Sequence, residues 1–294
     1  QAFRNKGFMV GEYYSKPDWH SQDYWWDVYP IKRGRNVNYD IKQWPWRWNR
    51  FKNFVYAQTE ELLRDYGKVD ILWLDGGWVC KENGQDINMP RIASRARALQ
   101  PGLIIVDRTI HGPYENYQTP ERTIPEQQLN YPWESCIPLS NDWGWVKNPV
   151  WKSATKVINT LVEVVAKGGN LVLGIGPTAD GRIQKEAVCR LDSIGQWLKR
   201  YGKAIYNTVP TPYYQEGKLW FTSDKNGCQR YAIYALSDGE EMPSTLSWHT
   251  NVPKSVMLLG VNKRLKMTKT NDGKVTVKLP EGMKAEPFAL QLNL

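Results

Sequence analysis

Two rhythms of apolar positions run through the first 208 residues. Segments in which every second residue is apolar, or which are short continuous apolar runs, predict strands at 7–15, 69–75, 103–108, 133–137 and 170–175. Apolar residues spaced three and four apart predict helices at 48–65, 90–99, 153–167 and 185–201. The second helix is closed by the breaker Pro101-Gly102 and the third by Gly168-Gly169. Strands alternating with helices at this spacing predict a parallel sheet covered by helices. After Pro212 the helical rhythm stops. Short strands are expected at 218–222, 229–236, 255–261, 274–279 and 287–292, separated by turn signals such as Lys225-Asn226-Gly227 and Asn271-Asp272-Gly273. That texture predicts a small all-β module of sandwich type. The expected domains are therefore 1–208, of α/β class, and 209–294, a C-terminal β-sandwich.

Composition changes this picture in two respects. The chain has 294 residues, 41% hydrophobic and 23% charged, an ordinary globular balance that excludes wholesale disorder, collagen and coiled coil. It also has 15 Trp, and twelve of them (Trp19, 25, 26, 44, 46, 48, 73, 78, 133, 143, 145 and 151) fall in the first 151 residues. Indoles combine a large apolar ring with an N–H that needs a partner, which suits half-buried binding faces. No apolar run approaches the roughly 18 residues of a membrane-spanning helix. The formal charge of +9 is scattered (Arg33, Arg35, Arg47, Arg50, then Arg91, Arg95, Arg97, then Lys263, Arg264, Lys266, Lys269) and lacks any basic-helix, zinc-finger or RNP signature, so nucleic acid is not an expected partner. Cys80, Cys136, Cys189 and Cys228 form no C-x-x-C pair and do not define a redox compartment. The sequence opens on Gln1 without a signal-peptide pattern, which is read as a processed form, an excised piece or an incomplete record.

Candidate chemistry concentrates at strand ends. In Val69-Asp70-Ile71-Leu72-Trp73-Leu74-Asp75-Gly76-Gly77-Trp78, a period of two puts Trp73 and Asp75 on one face, with the carboxylate at the C-terminal end. That end of a parallel strand is where α/β enzymes build their active sites. The alternative is that Asp75 caps the turn at Gly76-Gly77. In the next strand Ile104, Val106 and Arg108 share a face, so a guanidinium ends it, suited to a sugar's hydroxyls or, equally, to neutralising a buried Asp. The first strand ends near Tyr13. Glycoside hydrolysis needs a second carboxylate, roughly 5 Å from the first in retaining enzymes. Glu115, Glu121 and Glu126 in the following loop, and Glu134 at the next strand, are the candidates.

These motifs, in this order, resemble the α-L-fucosidases of glycoside hydrolase family 29: Tyr13-Tyr14-Ser15 with Asp18-Trp19, Leu72-Trp73-Leu74-Asp75-Gly76, Val106-Asp107-Arg108, Thr119-Pro120-Glu121, Trp133-Glu134-Ser135-Cys136, Trp143-Gly144-Trp145, and the run from Gly168 to Pro177. The resemblance covers nearly the whole chain and is to the C-terminal two-thirds of such enzymes. It implies a partial (β/α) barrel of TIM type, the last five strand-helix units, followed by a β-sandwich. The barrel portion, 1–208, is then N-terminally incomplete: the paired His of the earlier strands have no counterpart, since His20, His111 and His249 are the only histidines.

By the same resemblance Asp75 is the catalytic nucleophile, Trp73 the aromatic wall of the fucose pocket, and Arg108 and Tyr13 its hydrogen-bonding partners. Glu121 is the first choice for the acid/base and Glu134 the alternative. His20 is assigned to the substrate face, with a surface-loop role as its plainer reading. The implied activity is that of a retaining exo-α-L-fucosidase acting on terminal α-L-fucose of glycans, with α-1,3/1,4 linkages suggested by the long loop 111–131. No cofactor and no metal are expected, because paired His and calcium-loop spacings are absent. The family implies a periplasmic, secreted or lysosomal location. The rival readings are a non-catalytic carbohydrate-binding protein and an inactive truncated fragment of such an enzyme.

Overall fold

The computed structural model describes residues 1–31 and 34–294; Arg33, among the scattered basic residues, lies outside them. The chain divides into two compact units, Gln1–Thr119 and Pro120–Leu294. Each unit has its own apolar core.

In the first unit β1 (Gly11–Ser15), β2 (Ile71–Asp75) and β3 (Ile104–Asp107) form a parallel sheet in the order β1-β2-β3. The register pairs Tyr13 with Trp73, Ser15 with Asp75, and Leu74 with Asp107. Helix α1 (Pro45–Asp65) joins β1 to β2, and α2 (Met89–Leu99) joins β2 to β3. The α1 helix starts three residues before the expected Trp48, because Pro45, with φ already fixed and no N–H to lose, opens its first turn. Its buried residues Trp48, Phe51, Val55, Thr59 and Leu63 recur at helical spacing. Those of α2 are Met89, Ile92, Ala93 and Ala96. Both helices share one core with Leu72, Leu74 and Ile105. The alternate residues of β2, Ile71, Trp73 and Asp75, are only half-buried. One face of β2 is thus packing and the other carries the polar chemistry. Expected strand 7–15 begins later, at Gly11, since Arg4–Lys6 forms a 3-10 turn that ends on Gly7 in the left-handed region (φ 80°).

In the second unit β4 (Glu134–Pro138) and β5 (Asn170–Gly174) form a parallel pair, connected by α3 (Ala154–Ala166). Ser153 caps α3, its hydroxyl accepting the N–H of Lys156 at 2.9 Å. Next come α4 (Lys185–Tyr201), β6 (Thr208–Glu216), β7 (Leu219–Asp224), β8 (Gln229–Tyr234), β9 (Thr245–Trp248), β10 (Ser255–Leu258), β11 (Lys263–Leu265), β12 (Met267–Lys269), β13 (Val275–Lys278) and β14 (Phe288–Asn293). They make a six-stranded antiparallel sheet, β11-β10-β14-β8-β7-β6, and a three-stranded one, β12-β13-β9. One apolar cluster includes Ile158 and Val162 of α3, Trp197 and Tyr201 of α4, and residues of both sheets such as Phe221, Leu290 and Val277. The Trp197 indole donates to the carbonyl of Pro287 at 2.6 Å. The expected boundary at 208/209 falls inside this unit.

Three features bear on the expected pattern. No helix follows β3 among the described residues, so the third strand-helix unit lacks its helix; Pro113, Pro120, Pro125 and Pro132 break any helical run there. The parallel strands are hydrogen-bonded as a sheet of three within the first unit and as a pair within the second. The chain around Pro210 and Pro212 is a strand, β6, ahead of the first strand expected in the β module, at 218–222. It is an edge strand whose register shifts between Pro210 and Gln215, the setting in which a sheet tolerates residues without an N–H.

Gly169 shows how tightly the second unit closes. A Cβ there would lie 2.4 Å from the ring of Trp133, which is 1% exposed. Gly169→Ala is expected to lower stability by about 1–3 kcal/mol through overpacking, read as a lower urea midpoint at unchanged slope.

Candidate active site

The C-terminal ends of β1, β2 and β3 bring together Tyr13, Trp73, Asp75 and Arg108. The phenol of Tyr13 donates to Asp75 Oδ2 at 2.6 Å, and Ser15 Oγ donates to the phenol oxygen at 3.1 Å. Arg108 Nη1 stands 3.6 Å from Asp75 Oδ1, so the two carboxylate oxygens face different partners. The Tyr13 and Trp73 rings stack, centroids 5.5 Å apart and planes 19° from parallel. The Arg108 guanidinium lies 5.0 Å from the Trp73 ring centroid, a cation–π arrangement. Desolvation first, and then the hydrogen bond to Asp75, raise the Tyr13 phenol above its ordinary pKa, so it stays a proton donor at neutral pH. The face is open: Tyr13 is 60% exposed and the Asp75 side chain 28%. The oriented carboxylate therefore faces solvent beside an aromatic wall and a guanidinium.

The backbone beyond β2 explains why glycines follow Asp75. Gly76 is left-handed (φ 85°), and a Cβ on it would meet Pro17 Cδ at 2.3 Å. A Cβ on Gly77 would lie 1.9 Å from Thr109 Oγ1 and 2.8 Å from the carbonyl of Arg108. Thr109 itself sits at φ 59°, costly for a β-branched residue, directly after the guanidinium.

The two carboxylates offered as acid/base lie in the second unit. Glu121 is exposed, and its Oε1 accepts the indole N–H of Trp143 at 3.1 Å. An isolated parallel bridge pairs Glu121 with Cys136 of β4, and the Arg122 guanidinium covers the Trp143 ring at 5.0 Å. Glu134 opens β4, half-buried, two residues before Cys136 and on the same face. Glu126 is exposed. Glu115 belongs to the first unit, where it is buried and bonded to His111 Nδ1 at 3.0 Å; desolvation raises its pKa. His20 is exposed in the turn opened by Asp18, whose carboxylate accepts the His20 N–H at 2.9 Å. It is not among the side chains gathered around Asp75.

A family model described as alpha-L-fucosidase matches residues 1–203. The chain belongs to this family. Among its relatives, the tissue alpha-L-fucosidase of Homo sapiens is 28% identical over 279 residues, covering 85% of this chain and 59% of that protein. The alpha-L-fucosidase of Branchiostoma floridae is 27% identical over 300 residues, covering 95% of this chain and 62% of that one. The chain thus spans about three-fifths of the length of these relatives. Among solved structures, a GH29 alpha-L-fucosidase from Bacteroides thetaiotaomicron superposes with a TM-score of 0.78 at 26% identity, over 99% of this chain and 68% of that one. Alpha-L-fucosidase isoenzyme 1 from Paenibacillus thiaminolyticus matches in fold with the same TM-score at 24% identity, over 100% and 73%. The fold of the family is a catalytic domain followed by a β domain.

Two residues given no role by the sequence, Asp107 being quoted only within a motif and Lys16 not at all, meet at these strand ends. Lys16, directly after β1, forms an ion pair with Asp107, the last residue of β3, and both side chains are fully buried. Their partnership spans 91 positions and leaves no local pattern to find. Burial lowers the Lys16 pKa and raises that of Asp107 to about 6 in spite of the attraction between them. A carboxyl group whose folded pKa exceeds its unfolded value of about 3.9 holds an extra proton between the two, so its contribution is present below the lower value and lost as pH rises towards the upper. The contribution of Asp107 should therefore fall between about pH 4 and about pH 6, so the stability of wild type relative to Asp107→Asn should decline across that interval, as measured by urea unfolding of both proteins.

Proposed function

We propose that this chain carries the catalytic face of a retaining exo-α-L-fucosidase, with β1 to β5 as five strands of a TIM-type (β/α) barrel over residues 1–208 and 209–294 as its β-sandwich. The observation that carries the reading is the meeting of Tyr13, Trp73, Asp75 and Arg108 at three adjacent strand ends. In this mechanism Asp75 attacks the anomeric carbon of a terminal α-L-fucose and the glycosidic bond breaks, giving a covalent fucosyl ester. Glu121 protonates the departing oxygen, then takes a proton from the water that releases fucose. Tyr13 and Arg108 orient the carboxylate before attack and, once the ester forms, turn to the ring hydroxyls. Trp73 offers an apolar wall to the methyl group that fucose bears in place of a hydroxymethyl. The substrate is then a fucosylated glycan or oligosaccharide, in the α-1,3/1,4 class, and the location one where glycan ends occur: periplasm, cell exterior or lysosome.

Glu121 is preferred to Glu134 because it is exposed beside an indole that orients one of its oxygens. Glu134, on a regular strand, has less freedom to reach a leaving group.

Asp75→Gly in the full chain is expected to lower turnover of an aryl α-L-fucoside by about a thousandfold or more. Activity within about tenfold of wild type would remove Asp75 from the nucleophile's role. For the second carboxylate, Glu121→Ala and Glu134→Ala are compared with sodium azide added. Azide attacks without needing a base, so it restores turnover only where the acid/base has been removed, giving a fucosyl azide of retained configuration. Rescue of Glu134→Ala alone would reverse the assignment.

A further inference from the structure

On the sheet of the first unit, the face opposite Asp75 carries the Lys16 and Asp107 ion pair. Strand alternation sets this arrangement: Tyr13 and Ser15 point one way and Lys16 the other, Asp75 one way and Leu74 the other, Arg108 one way and Asp107 the other. Lys16 is bonded through its backbone N–H to the carbonyl of Asp75 at 3.0 Å, and Arg108 through its own to the carbonyl of Leu74 at 3.0 Å. The two side chains therefore meet across the end of β2 and tie β1 to β3, which are not hydrogen-bonded to each other. The charged and titratable groups that act most strongly on the pair come from the same strand ends and the loops after them: Asp75 and Cys80 towards Lys16, Glu115 and the Tyr114 hydroxyl towards Asp107.

A buried ion pair is a poor way to gain stability. Withdrawing both charges from water costs several kcal/mol per ion, and apolar residues of similar volume commonly do as well or better. Leu72, Leu74 and Ile105 of the same sheet already belong to an apolar core. What the ion pair adds is direction, because an ammonium and a carboxylate hold a defined separation and apolar side chains do not.

We infer that the Lys16 and Asp107 pair is a positioning device: it fastens the ends of β1 and β3 beneath β2 and so holds Tyr13 and Arg108 at their distances from the Asp75 carboxylate. Neither residue touches the substrate face. Lys16 acts through Ser15 and the Asp75 carbonyl, and Asp107 through the backbone it shares with Arg108. The kinetic part rests on the fucosidase reading, while the geometric part does not.

The test replaces both charges together, Lys16→Met with Asp107→Leu, in the full chain. The melting temperature should stay within about 5 °C of wild type. On an aryl α-L-fucoside kcat should fall about tenfold or more, with KM changed by less than about threefold, since misplacement harms the transition state more than binding. A crystal structure of the variant should show Arg108 Nη1 and Asp75 Oδ1 separated beyond the roughly 4 Å of an ion pair. If the double variant does not fold, Asp107→Asn carries the same readouts. A folded variant with wild-type kcat and an unchanged separation from Arg108 to Asp75 overturns the inference. If the wild-type chain hydrolyses no fucoside, the functional reading fails, and the crystallographic separation still decides the positioning.

Discussion

A β-strand presents successive side chains to opposite faces, and the first unit depends on how β2 divides them. Leu72 and Leu74, almost wholly buried, meet the apolar stripes of α1 and α2. Trp73 and Asp75 are left on the other face. A shift of one residue in register would exchange the two sets, placing a carboxylate in the core and leucines in the site. The packing of the core and the position of the candidate nucleophile are therefore one constraint. The apolar contacts that keep Leu72 and Leu74 in place also keep Asp75 opposite Ser15 and within reach of Tyr13.

Glycine geometry closes the same end of the sheet. Gly76 turns where an L side chain is strained and has Pro17 against it, and Gly77 lies against Thr109 and the carbonyl of Arg108. The segments leaving β1, β2 and β3 are thus in contact immediately beyond Asp75. The strain at Thr109 persists because Arg108 before it is bonded through its backbone to β2. In the second unit an edge strand with two prolines, a cap at Ser153 and a glycine under Trp133 do comparable work for the core that α3 and α4 share with the sheets.

Much of this could be read in the amino-acid sequence, and the exceptions have physical causes. The strands ending at Asp75 and Arg108 were legible because buried parallel strands are short, apolar and bounded by turn residues. Period two alone placed Trp73 beside Asp75 and Arg108 beside Val106 within their own strands; that these faces meet Tyr13 follows from the register of the sheet. The four helices were legible from their spacing, with errors only at the ends, where Pro45 and Met89 extend them. β6 was not legible, because Pro210 and Pro212 argue against a strand until it is known to lie at an edge. The ion pair of Lys16 with Asp107 was hidden because residues 91 apart meet only through the order of the sheet. Lys16 in particular follows Ser15 in a stretch that reads as a turn.

The contact of Gly77 with Thr109 also bears on how such a surface could be reshaped. With no space for even a methyl group between them, the loop after β2 and the loop after β3 are interlocked. Neither can be exchanged for a loop of different course without displacing the other, and with it Arg108. Diversification of this rim, by natural drift or in the laboratory, has to proceed by replacing the two loops as a matched set.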